Sequence, residues 1–482
     1  MPVRRISSPL ITKFLLLCLA LFLAVLPAIS AAEPPVLPDP DRLPYPPLSF
    51  EPPVAARFTL DNGMVVHYFE NRELPLLKIA AIIRAGSIHD PPGLEGLAEL
   101  TATGMETGGI AGMTGNAVDE ALDSMAAQLQ TAVHRDYAAF SLSLLKEDLE
   151  RGLALFSRIL VQPVFEEEKL SLAKGLKIEE LRRTSDNPQK LAFREFGRLM
   201  HAESPWGRVA TNDSVGRVQR EDLIRFHERF YHPERVMIAV SGDISREEAE
   251  NQLNRRFASW KPTGKEAPSP PPPVSRDGGI FFIPKEIPQS IVLFGWFAPS
   301  KRHPQFYPFE ILDFVLGSGG FRSRIFQEVR TNRGLAYSAG SFYTARREYG
   351  LFGAYAFTKS ESTGQVISLI EEIVREVASH PLPPEELEMA KRSILNSFIF
   401  SFTGPDQIAL QQLMVEYNDL PRNFLSDYRG RIERIRADEI RDAVGRHLVP
   451  EKRVLLIIGS NAVYRDLSAF FKTIRKIEGT HE

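Results

Sequence analysis

Cysteine is almost missing from this sequence: a single residue, Cys18, stands among 482. It lies in an apolar run from Phe14 to Leu26 that follows Arg4, Arg5 and Lys13 and is closed by Pro27 and the small residues Ala28, Ser30, Ala31 and Ala32. That order reads as a secretory signal peptide over residues 1–32, cleaved near Ala31 or Ala32. The run falls short of the ~20 residues that a membrane-spanning helix needs, so no stable membrane insertion is expected after cleavage, and the mature chain is expected in the periplasm. Without Cys18 the mature chain has no thiol. Disulfides and thiolate metal ligands are thereby excluded, and stability in an oxidising compartment must come from a buried core.

Excess charge is also scarce. Loss of residues 1–32 takes Lys+Arg from 58 to 55 against 61 acidic groups, so the net charge moves from −3 to −6. A mild acidic surplus argues against a nucleic-acid partner and gives no sign of a membrane surface.

Proline is concentrated in a leader at 33–54 and in a linker at 262–277 that contains the run Pro270–Pro273. The linker divides the mature chain into halves of similar length, and the halves repeat. Arg220 to Ile244 and Ala437 to Ser460 both read as helix, Pro-Glu turn, apolar strand and glycine, and the stretches beginning at Glu168 and Glu386 both start long helices. The predicted fold class is α+β: two homologous modules at 55–261 and 278–478, each a mainly antiparallel sheet packed against helices, arranged as a clamshell. Alternation and turn residues place strands over 57–69 (with a turn at Asp61-Asn62-Gly63), 76–85, 130–133 and 138–144, then over 279–283, 290–298, 336–344 and 350–358. Helical spacing covers 96–106, 114–128, 145–161 and 166–184, then 306–316, 324–330, 363–378 and 384–402.

In this order, Ala85-Gly86-Ser87, Gly96-Leu97-Ala98, Glu179 to Pro188, Ser204 to Ser214, Val236 to Ile244 and Arg324 to Ser338 resemble the insulinase or pitrilysin-like zinc peptidases. Active members carry His-x-x-Glu-His directly after Gly-Leu-Ala, with both imidazoles on the metal and the glutamate as general base. The resemblance places those three residues at 99, 103 and 102, where this chain has Glu99, Thr103 and Ala102. The catalytic set is therefore expected to be absent. The family's third ligand position is retained as Glu180, and one carboxylate cannot hold catalytic zinc. His227 and His232, five apart, fall off a common helical face and read as ordinary core or surface histidines.

The resemblance also matches Arg330 and Tyr337 to the family's substrate-binding arginine and tyrosine. An arginine fork can hold a carbonyl or carboxylate, and a tyrosine hydroxyl can donate to a developing oxyanion. Without the resemblance, Arg330 is a cation at a helix C-terminus and Tyr337 a strand aromatic. Gly317-Ser318-Gly319-Gly320 lacks the Lys-Ser/Thr of a phosphate loop and reads as a helix-to-helix turn.

The resemblance thus implies the non-catalytic, substrate-binding subunit of a heterodimeric periplasmic metalloendopeptidase. It would have no cofactor of its own, zinc in a homologous catalytic partner, and unfolded or short peptides as ligands. Two alternatives remain open from the sequence. One is a stand-alone peptide-binding or scaffold protein of the cell envelope, and the other a peptidase with a rebuilt metal site.

Overall fold

The computed structural model describes residues 50–202, 204–264, 271–273 and 277–477. The residues read above as a signal peptide, with Cys18, most of the leader and parts of the proline-rich linker lie outside them. Among the described residues no helix is long and apolar enough to cross a membrane.

Each half builds a six-stranded sheet. The turn at Asp61–Gly63, with Gly63 at φ 90°, folds β1 (Ala56–Thr59) against β2 (Val65–Glu70). Strand β3 (Leu76–Ile83), helices α1 (Leu97–Thr107) and α2 (Gly115–Asp123), and the hairpin of β4 (Gln128–Val133) and β5 (Ala138–Leu145) follow. Five helices come next: α3 (Leu149–Val161), α4 (Glu167–Asp186), α5 (Pro188–Met200), the short α6 (Asn212–Arg217) and α7 (Arg220–Phe230). A turn at Pro233 leads into β6 (Val236–Gly242), and α8 (Arg246–Phe257) ends the half. The strand order is β1-β2-β6-β3-β5-β4, with β6 parallel to β2 and the other neighbours antiparallel.

The second half runs β7 (Gly279–Pro284), β8 (Gln289–Ala298), α9 (Phe306–Asp313), β9 (Ala336–Ala345) and β10 (Gly350–Lys359). Helices α10 (Thr363–Ser379), α11 (Pro384–Phe398), α12 (Pro405–Tyr417), α13 (Phe424–Arg434) and α14 (Ala437–His447) lead to β11 (Val454–Gly459), α15 (Asn461–Ser468) and β12 (Arg475–Lys476). Its order, β12-β7-β11-β8-β10-β9, places β7, β11, β8, β10 and β9 where the first sheet has β2, β6, β3, β5 and β4. The repeated helix, Pro turn and strand are α7 into β6 and α14 into β11, and each strand lands in its sheet parallel to the same neighbour.

One face of each sheet is covered by its own helices, as where Leu100, Met105, Phe156 and Leu223 join Ile79 and Phe140 in one core. The opposite faces are covered by exchange. Leu191, Ala192, Phe196 and Met200 of α5 pack on Ile291, Leu293, Leu456 and Ile458 of the second sheet, while Ala409, Leu413 and Tyr417 of α12 pack on Ile82 and Ala239 of the first. Strands β6 and β11 are apolar nearly throughout and need cover on both sides, which the exchange supplies. Gly295 permits the first contact, since a Cβ there would collide with the Phe196 ring and the Met200 sulfur. Arg57 to Glu416 at 2.7 Å, Lys78 to Asp406 at 3.0 Å and Arg346 to Asp136 at 3.0 Å tie the same seam.

Four helical spans differ from the sequence reading. The span read as 114–128 stops at Asp123, because Ala126 turns left-handed at φ 48° and Gln128 already belongs to β4. The span 306–316 leaves the α-helix at Asp313 and widens into a π-turn over Phe314–Ser318, 324–330 is a π-helix over Phe326–Asn332, and 384–402 tightens to a 3-10 turn after Phe398. Of the glycine run read as a turn, Gly317 and Ser318 still belong to the π-helical stretch Phe314–Ser318 and the chain turns only at Gly319 and Gly320; Gly317 is required because a Cβ would meet the backbone of Gly340 and Ser341.

Candidate functional site

Helix α1 starts where Asp90 accepts hydrogen bonds from the amides of Gly96 and Ala98, both at 2.8 Å. Burial pushes this carboxyl up to about 7, against the pull of those two bonds. Glu99 and Thr103 lie one turn apart along the helix, and Ala102 is buried in the core. Helix α4 runs alongside and carries Lys177 and Glu180, again one turn apart.

The Lys177 ammonium stands between the two glutamates, 2.7 Å from Glu99 Oε1 and 3.0 Å from Glu180 Oε2. Burial alone would lower its pKa, but the charge of Glu99 and the bonds to both carboxylates outweigh that, and the net shift is upward. A protonated amine thus holds the carboxylates of Glu99 and Glu180. These residues do not fit a catalytic zinc. The motif positions supply no imidazole, a cation already occupies the carboxylates, and among the described residues no three His, Cys, Asp or Glu side chains converge as a metal-binding group. His227 is half-buried on α7: its Nε2 lies 2.8 Å from the Leu160 carbonyl, and desolvation pushes its pKa down to about 4.

Two backbone irregularities meet at the other predicted pair. Arg330 lies in the π-helix Phe326–Asn332, which puts its guanidinium 4.8 Å from the Phe326 ring centre and 5.0 Å from that of Tyr337. The β9–β10 register passes from Ser338 opposite Phe357 to Ala336 opposite Thr358, so Tyr337 is the extra residue of a β-bulge. Its side chain is 75% exposed. The junction is pinned by Leu335, whose amide donates to the Val329 carbonyl at 2.9 Å and whose carbonyl accepts from Thr358 Oγ1 at 2.6 Å. Arg324, whose Nε and Nη2 donate to Glu386 at 2.9 and 2.6 Å, anchors the chain just before the π-helix.

No hydrogen bond or ion pair engages the Arg330 guanidinium among the described residues. Two rings hold it with its forked donors open, a state suited to a carbonyl or carboxylate from outside. Tyr337 sits on β9, an edge strand, and β4 is the equivalent edge of the first sheet.

The structure therefore joins Glu99 to Glu180 through Lys177, and Arg330 to Tyr337 through ring contacts. No contact joins the two groups among the described residues. Sequence reasoning missed Lys177, although its spacing of three from Glu180 put both on one helical face, and it missed Phe326 one turn before Arg330.

Two family models match the chain: Insulinase (Peptidase family M16) over residues 69–210, and Peptidase M16 inactive domain over residues 217–394. A Rickettsia bellii protein described as an uncharacterized zinc protease is 23% identical over 368 residues, which is 76% of this chain and 86% of that protein. Among solved structures, the peptidase M16 inactive domain from Pseudomonas fluorescens superposes with a TM-score of 0.78 at 24% identity, covering 88% of this chain and 99% of that one. The periplasmic protease PqqL from Escherichia coli superposes at 0.72 with 14% identity, and this chain, matched over 94% of its length, spans 51% of it. At these identities the structural likeness is one of fold. With both halves matched by models of the same family, the chain belongs to the insulinase, or M16, peptidase family.

Proposed function

We propose that this chain is the non-catalytic, substrate-binding subunit of a heterodimeric periplasmic zinc metalloendopeptidase that degrades or processes peptides, with zinc held by a homologous partner. The observation that carries this reading is the contrast between the two sites. Lys177 closes the carboxylates of the first, while Arg330 in the second is held by rings with its donors free. A relic would not need a π-helix and a bulge to aim one side chain each at a common point. Peptide would bind as an added strand on a sheet edge, with Arg330 on a carbonyl or terminal carboxylate and the Tyr337 hydroxyl donating to an oxygen on which negative charge develops. The reading of residues 1–32 as a signal peptide and the description of PqqL as a periplasmic protease support the compartment.

The test is Arg330→Ala in the purified two-chain complex. The expected result is a ~100-fold or greater loss of kcat/KM with the complex still assembled. Unchanged turnover contradicts the role, and peptide binding with no catalytic chain recoverable favours the stand-alone scaffold.

A further inference from the structure

The ring contacts around Arg330 extend beyond the pair already described. Phe321 lies edge-on to Phe326, with centroids 4.9 Å apart and planes at 79°, so Phe321, Phe326, Arg330 and Tyr337 form one continuous stack. Both ends of the stack are open to water: Phe321 is 73% exposed and Tyr337 75%.

Phe321 is held in that position by its own backbone. Gly320, at φ 64°, turns the chain outward and its carbonyl accepts from Ser323 Oγ at 2.8 Å, while Gln327 Nε2 donates to the Phe321 carbonyl. A single exposed aromatic is ordinary on a protein surface. Here the ring is fixed against Phe326, whose ring also meets a guanidinium with free donors, and burying it would remove from water the apolar surface now exposed. Through Phe326, the Phe321 ring lies within ~10 Å of the Arg330 guanidinium, or about three residues of an extended peptide at ~3.3 Å each.

We propose that Phe321 is an apolar anchor of the peptide site, selecting unfolded peptides that carry a large apolar or aromatic side chain about three residues from the carbonyl or carboxylate held by Arg330. This rests on the peptide-binding reading above. Phe321 determines which peptide binds, while Arg330 holds any peptide backbone.

The experiment measures fluorescence anisotropy of the full mature chain with two short dye-labelled peptides of polar sequence, identical except for one Phe or Ala. Wild type is expected to bind the Phe peptide ~10-fold more tightly. Phe321→Ala should remove that preference with little effect on the Ala peptide, Phe321→Leu should keep part of it, and Arg330→Gln should weaken both. An unchanged preference in Phe321→Ala overturns the anchor while leaving the peptide site intact. Absence of binding to either peptide by wild type overturns both. If Phe321→Ala instead weakens association with a copurifying protein chain and spares peptide binding, the stack is a protein interface and the proposal fails. Thermal unfolding of each variant, expected to match wild type for so exposed a residue, separates these outcomes from misfolding.

Discussion

The ammonium of Lys177 lies 2.7 Å from Oε1 of Glu99. Two neighbouring carboxylates without a cation would repel, and the Lys177 ammonium on the facing helix bridges Glu99 and Glu180. In a double-mutant cycle, Lys177→Met and Glu99→Gln should couple by ~0.5–1 kcal/mol in denaturant unfolding, a modest value because Glu99 and Glu180 are substantially exposed. Strict additivity would show that the contact carries no energy.

The same amine should act as a barrier to metal. Glu99→His with Thr103→His supplies two imidazoles one turn apart near Glu180, yet the purified double variant is expected to remain zinc-free while Lys177 occupies the carboxylate. Adding Lys177→Ala should bring zinc towards one per chain by elemental analysis. Stoichiometric zinc in the double variant with Lys177 in place would remove the lysine from the explanation.

Acid should weaken the first module through His227. His227, pushed down to about 4 by burial, stays neutral in the fold while the unfolded chain protonates near 6.5. The unfolded state then binds more protons, so this group's contribution falls as pH drops from about 6.5 to about 4, by up to ~1 kcal/mol per pH unit. Wild type should therefore lose stability relative to His227→Gln across that window, and the difference should be flat above about pH 7. A gap independent of pH from 7 to 4, followed by chemical unfolding, would contradict the assignment.

Helix exchange makes Gly295 a stability hinge point of the second sheet. Gly295→Ala drives a methyl into Phe196 and Met200 of α5, and overpacking of this kind costs ~1–3 kcal/mol. Phe196→Leu in the same chain should recover part of the loss. Equal stability of Gly295→Ala and wild type in calorimetry would mean that α5 does not sit on that strand.

Much of the architecture was legible because strands such as Leu76–Ile83 and Gln289–Ala298 are predominantly apolar with clear turn residues, and because the Pro turn before β6 recurs before β11. The exchanged helices were not. Helix α12 faces the first sheet with Ala409 and Leu413 and a second cluster, including Phe402 and Leu425, with Ile408 and Val415. With apolar residues on two sides it has no amphipathic period to find. Helix α5 falls outside the helical spans given by spacing alone, although Asn187 caps it, accepting from the amides of Gln189 and Lys190 at 3.0 Å each. At the site, Glu99, Ala102, Thr103, Glu180, Arg330 and Tyr337 were reached from motif order. What the order could not supply was three-dimensional: the lysine between two helices, the π-helix under Arg330 and the one-residue slip that frees Tyr337.

The central claim, a subunit that binds substrate for a partner's metal site, is tested most directly by affinity purification of the tagged, exported chain from its own periplasm with mass spectrometry of what accompanies it. The account predicts a roughly equimolar chain of similar size carrying His-x-x-Glu-His. Recovery of this chain alone, or with unrelated envelope proteins, would contradict it and leave a peptide-binding scaffold in its place.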